Sequence, residues 1–426
     1  MIPLPLEEVR ALAPGRLEIA TGAEHVTGLT VDSRRVRQGD LFVAVGRGGA
    51  FVRDALERGA AAALVPDDAF GALAALGGAV RDRSPATAIG ITGSTGKTST
   101  KDILAALLRP HVRVVAAEEG YNNELGLPLT LARLEPDTEV LVAEMGMRGL
   151  GQIAELCRVA RPDVGVITSI GPVHLELLGD VATVARAKAE VVESLPPAGS
   201  AVVPVGVPEL EPHLRRDDIE IVRFGAGGDV RLERWAPPLL VADVAGQRVE
   251  LDVPFTARHQ AENMLAALGA YRALGLPLDR AGEGASAIAF SRWRCEETEL
   301  PDGVLLINDA YNANPVSMRA ALAHLVERAG GRRTVAVLGE MAELGPGAPG
   351  FHREIGEAAR AAGVDVLVAV GGALADEYGG DARAADAADA RELLAAVLRP
   401  GDVVLVKASR AAGLETLAAA LEEVPV

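Results

Sequence analysis

The sequence predicts an α/β protein of three domains: a small α/β N-terminal domain, a central domain with a mainly parallel sheet, and a C-terminal Rossmann-like domain. Three observations carry that reading. Apolar runs of strand length alternate with amphipathic helical stretches along most of the chain, as parallel βαβ sheets require. A glycine-rich segment, Thr92-Gly93-Ser94-Thr95-Gly96-Lys97-Thr98, separates one such run from a helix. The chain has 426 residues, 49% of them hydrophobic and 24% charged, enough for two or three compact domains with sizeable cores.

Residues 1–83 make the first domain. Thr30-Val31 and Leu41 to Val45 read as strands, followed by a helix around Asp54 to Arg58 and a strand at Ala62 to Val65, and the unit ends near Arg81 to Pro85. Residues 84–292 make the second. Ala88 to Ile91 is a short buried strand, and Ile103, Leu104, Leu107 and Leu108 recur at helical spacing until Pro110 stops the run. Val140 to Ala143 and Val164 to Ser169 are further strands among amphipathic helices, and residues from about Ala201 to Phe255 are richer in β-formers and turns. Residues 293–426 repeat the alternation: strand Val304 to Ile307, helix Met318 to Arg328, then strands at Thr334 to Leu338, Val364 to Val370 and Val403 to Val406. Gly371-Gly372 is present but no G-x-G-x-x-G follows the first strand, so no dinucleotide is assigned.

Composition narrows the function. Lys+Arg 42 against Asp+Glu 59 gives a net charge of -17, which disfavours general affinity for nucleic acid or acidic membranes. Any anion has to be bound locally. Cys157 and Cys295 lie far apart and form no metal-ligand or redox pair. The N-terminus lacks a basic region followed by an apolar stretch, and no apolar run is long enough to span a bilayer. A cytoplasmic protein without stable membrane insertion is expected.

The glycine-rich segment binds phosphate by its chemistry. A helix N-terminus offers unpaired N–H groups and the positive end of the macrodipole, and Gly93 and Gly96 let that backbone approach an anion. Ser94, Thr95 and Ser99 complete the cradle, Lys97 reaches the β/γ-phosphates, and Thr98 coordinates Mg²⁺. The central domain is thus P-loop ATPase-like. Ile91 stands where the strict G-x-x-x-x-G-K-[ST] pattern asks for its first glycine, leaving the shorter form G-x-x-G-K-T. The alternative is an ordinary glycine turn with a solvated lysine.

Three further residues join this loop by position. Glu144 directly follows the apolar run Val140-Leu141-Val142-Ala143, at the strand end where open α/β sheets place ligands. It is either a surface carboxylate or a ligand for Mg²⁺. His174 follows the next strand in the same way, as a hydrogen-bonding residue or a metal ligand. Lys188 interrupts an apolar face made by Val181, Val184, Val191, Val192 and Leu195 on the helix Val181 to Leu195. Either its ammonium snorkels to water, or it faces the nucleotide as a phosphate partner or a modified, anionic side chain.

These residues resemble those of the Mur ligases of peptidoglycan synthesis. The similar segments are Val31-Asp32-Ser33-Arg34, the phosphate loop through Lys101-Asp102, Tyr121-Asn122-Asn123-Glu124-Leu125-Gly126-Leu127-Pro128, Glu144-Met145-Gly146, His174-Leu175 and Ala187-Lys188-Ala189-Glu190. They continue with Asn308-Asp309-Ala310-Tyr311-Asn312-Ala313-Asn314-Pro315 and Leu338-Gly339-Glu340-Met341-Ala342-Glu343-Leu344-Gly345, so the resemblance covers nearly the whole chain. It implies ATP-driven amide synthesis. ATP phosphorylates a peptide carboxylate, an incoming amine attacks the acyl phosphate, and ADP and phosphate leave.

The resemblance also implies roles. Lys97, Glu144, His174 and Lys188 carry catalysis; Thr98 and Glu144 hold one Mg²⁺, while His174 and a carbamylated Lys188 hold another. Asn263 meets the adenine, and Arg294 and Asp309 contact the nucleotide from the hinge and the third domain. Ser33, Arg34, Asn122, Asn123, Tyr311, Asn312 and Asn314 handle substrate, with the first domain binding the UDP-sugar. The implied partners are small molecules, UDP-N-acetylmuramoyl-tripeptide and D-alanyl-D-alanine, acting on a monomer. Asn122-Asn123 as a turn, Arg34 and Arg294 as surface charges, and Asp309 as a cap are the plainer readings.

Departures from the family pattern are local. Gly48-Gly49-Ala50 stands where members carry Asp-Gly-His, Ala257 precedes Arg258-His259 where glycine is common, and Ala408 interrupts Lys407-Ala408-Ser409-Arg410 where Lys-Gly-Ser-Arg is usual. Two alternatives remain on the sequence. One is a sibling ligase, adding the third stem residue or glutamates to folate; the other is a non-catalytic nucleotide-binding homologue. No Asp-Asn-Pro-Arg segment for a diamino acid is present.

Overall fold

The structure, a computed structural model, describes residues 1–423. Its centre is a nine-stranded sheet in the spatial order Val114–Ala116, Val140–Glu144, Thr87–Thr92, Val164–Ile167, Ser200–Pro204, Glu220–Phe224, Val230–Ala236, Leu239–Val244 and Gln247–Asp252. The strands run parallel from Val114–Ala116 as far as Val230–Ala236, and the last two pairings are antiparallel. The chain leaves Thr87–Thr92 towards one edge of the sheet, then crosses back to place Val164–Ile167 on its other side. A crevice opens at such a switch point, beyond the strands' carboxyl ends.

Strand alternation divides the apolar side chains between two cores. Ile89, Ile91, Val140, Val142, Val164 and Val166 pack with the helices Lys97–Leu108 and Arg258–Ala273. Ala88, Leu141, Ala143 and Ile167 pack with Ala69–Arg83, Gln152–Ala160 and Val181–Glu193. The second core also takes in Leu41, Val43 and Leu64 of the N-terminal sheet, so helix Ala69–Arg83 joins the first unit to the second through continuous apolar contact. That N-terminal sheet has four strands in the order Gly15–Ile19, Ala62–Pro66, Asp40–Val43 and Gly28–Thr30, antiparallel only at its first pair.

The C-terminal unit is a six-stranded sheet ordered Glu296–Glu299, Leu305–Asn308, Val403–Lys407, Thr334–Gly339, Val366–Val370 and Ala382–Ala384, parallel apart from the first pair. Helices cover both faces, giving the two-sided core expected of a Rossmann-like unit. The predicted strands and helices recur with small shifts. Leu41 to Val45 is extended only over Asp40–Val43, Asp54 to Arg58 is helical as Val52–Glu57, and Val181 to Leu195 ends at Glu193. Among the described residues no helix is long and apolar enough to cross a membrane.

The helix expected over Met318 to Arg328 runs from Pro315 to Ala329. Asn314 sets its start, its side chain accepting from Ser317 N at 3.0 Å while Ser317 Oγ accepts from Asn314 N at 3.1 Å. Pro315 at the first helical position needs no N–H partner. Asn314→Ala should therefore destabilise the C-terminal unit by about 1–2 kcal/mol and Asn314→Ser by far less. Urea unfolding of both variants checks this, and equal loss in the two would show that the cap is not what Asn314 supplies.

Candidate active site

The phosphate loop occupies the crevice at the switch point. Gly93 has φ 150°, and a Cβ there would lie 1.9 Å from Thr168 Oγ1; Gly96 has φ 81°, and its Cβ would lie 2.2 Å from Asn263 Oδ1. Both positions thus demand glycine for conformation and for space. The neighbouring strand end clamps the loop: Ser94 N donates to Ser169 O at 2.9 Å, Ser94 Oγ to Gly171 O at 3.1 Å, and Thr95 N to Ser169 Oγ at 2.8 Å. No side chain caps the helix Lys97–Leu108 that follows. Its first-turn N–H groups are therefore available to an anion.

Buried charge converges on this helix start. Lys97 Nζ donates to Gly93 O at 2.8 Å. Burial pulls its pKa below the usual lysine value, Glu144 opposes that, and Arg294 adds to it. Glu144 ends its strand at 2% exposure; Oε1 accepts from Asn122 Nδ2 at 2.9 Å, while Oε2 is buried with no partner. Arg294 donates through Nη2 to Thr98 Oγ1 at 2.8 Å and lies 4.0 Å from the centre of the Tyr311 ring. Its Nε is also buried without a partner. A carboxylate oxygen and a guanidinium N–H left unpaired in one buried site are costly unless a cation and an anion complete them.

Lys188 does not snorkel. It is 2% exposed on helix Val181–Glu193, and burial, reinforced by the Lys97 charge, drives its pKa well below the ordinary value. Burial thus favours the uncharged amine over the ammonium. His174 sits at φ 53° just before the short helix Leu175–Leu178, with Nδ1 against the Glu343 carboxylate of the C-terminal unit. Burial lowers the His174 pKa, Glu343 raises it, and the charges of Lys188 and Lys97 lower it again.

The other sequence-derived residues divide by location. Asn263 packs against the loop at Gly96, with Nδ2 donating to Gln260 Oε1 at 2.8 Å. Asp309 follows the strand Leu305–Asn308 and pairs with buried Lys407 at 2.5 Å, also accepting from Cys295 N at 3.2 Å. Asn122 reaches Glu144, whereas Asn123 closes a turn by accepting from Leu125 N and Gly126 N. Tyr311 stacks under Arg294, Asn312 Oδ1 accepts from Ala313 N at 2.9 Å, and Asn314 caps its helix. Ser33 is buried in the N-terminal unit, and Arg34 is exposed and forked onto Asp32. Neither touches the phosphate loop directly.

Sequence reasoning passed over Thr168 and Ser169, which clamp the loop, and over Lys407, although a lysine closing the apolar run Val403 to Val406 is a visible anomaly. It also passed over Glu343. That residue borders a cavity of about 470 Å³ lined by Glu176, Glu340, Met341, Leu344, Ser409 and Ala412 among others, at the carboxyl ends of the C-terminal strands. Of the departures, Ala408 is fully buried against Gly339, whose own Cβ would come within 2.6 Å of it. Ala257 precedes helix Arg258–Ala273 as its cap, and Gly48-Gly49-Ala50 lies in a short 3-10 helix, Gly46–Phe51.

Among the described residues no group of three or more His, Cys, Asp and Glu side chains is gathered as a metal site. The set expected for Mg²⁺ instead mixes a hydroxyl, Thr98, with Glu144, His174 and Lys188. The unpaired Oε2 of Glu144 is a hard oxygen donor of the kind Mg²⁺ takes, so Glu144 fits the ion.

The profile of the Mur ligase middle domain matches residues 91–271, and that of the Mur ligase, glutamate ligase domain matches residues 293–410. A UDP-N-acetylmuramoyl-tripeptide--D-alanyl-D-alanine ligase of Mycobacterium tuberculosis is 39% identical over 372 residues, 79% of this chain and 72% of its own length. The ligase of the same name from Escherichia coli is 30% identical over 99% of each chain. The crystal structure of MurF ligase from Thermotoga maritima in complex with ADP superposes with a TM-score of 0.82 at 29% identity, covering 93% of this chain and 97% of that one. The chain belongs to the Mur ligase family, alongside its D-alanyl-D-alanine-adding ligases.

Proposed function

We propose that this chain joins D-alanyl-D-alanine to UDP-N-acetylmuramoyl-tripeptide in peptidoglycan precursor synthesis, driven by ATP and releasing ADP and phosphate. One observation carries the chemistry. Lys97, Arg294 with its unpaired Nε, Glu144 with its unpaired Oε2, and buried Lys188 converge around an uncapped helix start behind a glycine loop. Its donors suit a triphosphate, and its acceptor suits the accompanying cation. Residues 1–83 are assigned to the UDP-sugar, 84–292 to ATP and 293–426 to the incoming dipeptide, in a cytoplasmic monomer.

A carboxylate is a poor electrophile because oxide is a poor leaving group. Transfer of the γ-phosphoryl group to the tripeptide carboxylate gives an acyl phosphate and ADP. The dipeptide amine then adds to the carbonyl carbon, loses a proton, and the tetrahedral adduct expels phosphate as the amide forms. Lys97 and the loop N–H groups hold the β- and γ-phosphates, and Arg294 turns its free Nε–H towards a phosphate oxygen from the hinge side. Asn263 fixes Gly96 from behind, on the side assigned to the adenine, and Asp309 with Lys407 supports the nucleotide from the third unit.

Thr98 and Glu144 would hold one Mg²⁺, and His174 with Lys188 a second. Bound Mg²⁺ offsets charge on the phosphate oxygens. Lys188 as an ammonium cannot ligate a cation. In its free-amine form, which burial favours, it can add carbon dioxide, forming an N–C bond and releasing a proton, to give a carbamate whose single negative charge is shared by two oxygens. The cavity beside Glu343 and His174 is assigned to the dipeptide, its carboxylates suited to an ammonium and its apolar lining to methyl groups.

Three outcomes follow from these assignments. Lys97→Ala should lower turnover by roughly a thousandfold or more, since it removes charge from the transferring phosphoryl group; steady-state ADP release measures this, and near-normal rates would refute the phosphate-loop assignment. Lys188→Ala should be inactive and partly restored by millimolar formate or acetate standing in for the carbamate; full activity without rescue would make the lysine structural. In a panel of single nucleophiles with ATP, Mg²⁺ and UDP-N-acetylmuramoyl-tripeptide, phosphate release should appear with D-alanyl-D-alanine. Release with a lone amino acid but not the dipeptide would favour the sibling ligase that adds a single residue.

A further inference from the structure

We propose that Asp102 is a positioning residue that pins the hinge between the central and C-terminal units, so that Arg294 is delivered to the phosphate loop. The inference rests on the phosphate-binding role given to Arg294 above. Thr98 and Asp102 stand one turn apart on helix Lys97–Leu108 and therefore share a face. The hinge runs along that face and is held at two points. Asp102 Oδ2 accepts from Ser291 N at 2.8 Å and from Ser291 Oγ at 2.9 Å, and just downstream Arg294 Nη2 donates to Thr98 Oγ1 at 2.8 Å.

The hinge needs such a tether. Residues 291–295 form no helix or strand, and Trp293 and Cys295 hold φ of 59° and 53°, a region that bulky L-residues enter only when their surroundings impose it. Arg294 lies between these two residues, so any relaxation of the pair swings its guanidinium. Asp102 is itself fixed from the other side. Its Oδ1 lies 2.7 Å from Lys101 Nζ, and that buried ammonium also donates to Ala117 O at 2.9 Å. The carboxylate thus divides its oxygens, one for the helix's own lysine and one for the hinge. A mere counter-ion for Lys101 would have no use for the second contact.

A double-mutant cycle on kcat and on KM for ATP tests the proposal. Arg294→Ala should lower kcat about a hundredfold. Asp102→Ala should lower kcat by about 10- to 100-fold with a smaller change in KM, and Ser291→Ala, which leaves the Lys101–Asp102 pair intact, by about 3- to 10-fold. In the Arg294→Ala background neither change should lower kcat further. If Asp102→Ala does not fold, the Ser291 and Arg294 pair alone decides. Losses that multiply, or normal kcat in the Ser291 variant, would overturn the tether while leaving Arg294 its role. Unchanged kcat and KM in Arg294→Ala would overturn the Arg294 reading and the tether together.

Discussion

Everything at this site depends on holding several like charges in a buried crevice before any substrate enters. Lys188 is buried, Lys97 and Arg294 are half-buried beside it, and the buried carboxylate of Glu144 faces Lys97. Left as they stand, the three basic side chains repel one another and forgo water, with only Glu144 to offset them. The structure bears this by three means. Burial loosens the hold of Lys188 on its proton, Lys97 is tied to the carbonyl of Gly93, and Arg294 rests on the face of Tyr311. Arg294 is still left with an unpaired N–H. A polyanion bound at the helix start would relieve the repulsion.

That constraint explains where the site lies. A cluster of basic side chains can be built only where rigid elements outvote the repulsion, and the centre of a nine-stranded sheet packed by helices on both faces offers such a support. Thr87–Thr92 and Val140–Glu144 fix the loop and Glu144 from below, while Arg258–Ala273 presses Asn263 against Gly96. The remaining contributions come from across the hinge. Arg294, Tyr311, Asp309 and Glu343 all belong to the C-terminal unit or its approach, and each touches the central unit or the hinge backbone. The site is thus shared, and the relation between the two units decides whether it is complete.

Much of this was legible in the sequence because burial imposes pattern. The strands around the phosphate loop are apolar on both faces, which is why Val140 to Ala143 and Val164 to Ser169 stood out, and Lys188 stood out because it broke an apolar stripe. Helix Arg258–Ala273 shows the reverse case. It is buried on most of its circumference, so it has little polar face and only a faint period, although it supplies Asn263. Pairings were the other hidden layer. Spacing could mark Asp309 but not its bond to Lys407, and could mark Asn122-Asn123 but not that one reaches Glu144 while the other ends a turn. Such contacts join residues distant in the chain, and local periodicity carries no information about them.

The departures from the family pattern have a physical sense where packing surrounds them. At Ala408 the added methyl lies against Gly339, and only the absence of a side chain at Gly339 makes room, since a Cβ there would sit 2.6 Å from that methyl. The two positions therefore constrain each other across adjacent strands, and the loop keeps Ser409 donating to Ala313 O and accepting from Ala342 N. Gly48-Gly49-Ala50 differs in kind. It lies in the short 3-10 helix Gly46–Phe51, with Phe51 half exposed and no buried residue in the helix. A change at Ala408 is compensated within the core, whereas a change at Ala50 alters only what the surface offers. The first preserves the local geometry of the loop, and the second lies on the surface of the N-terminal unit.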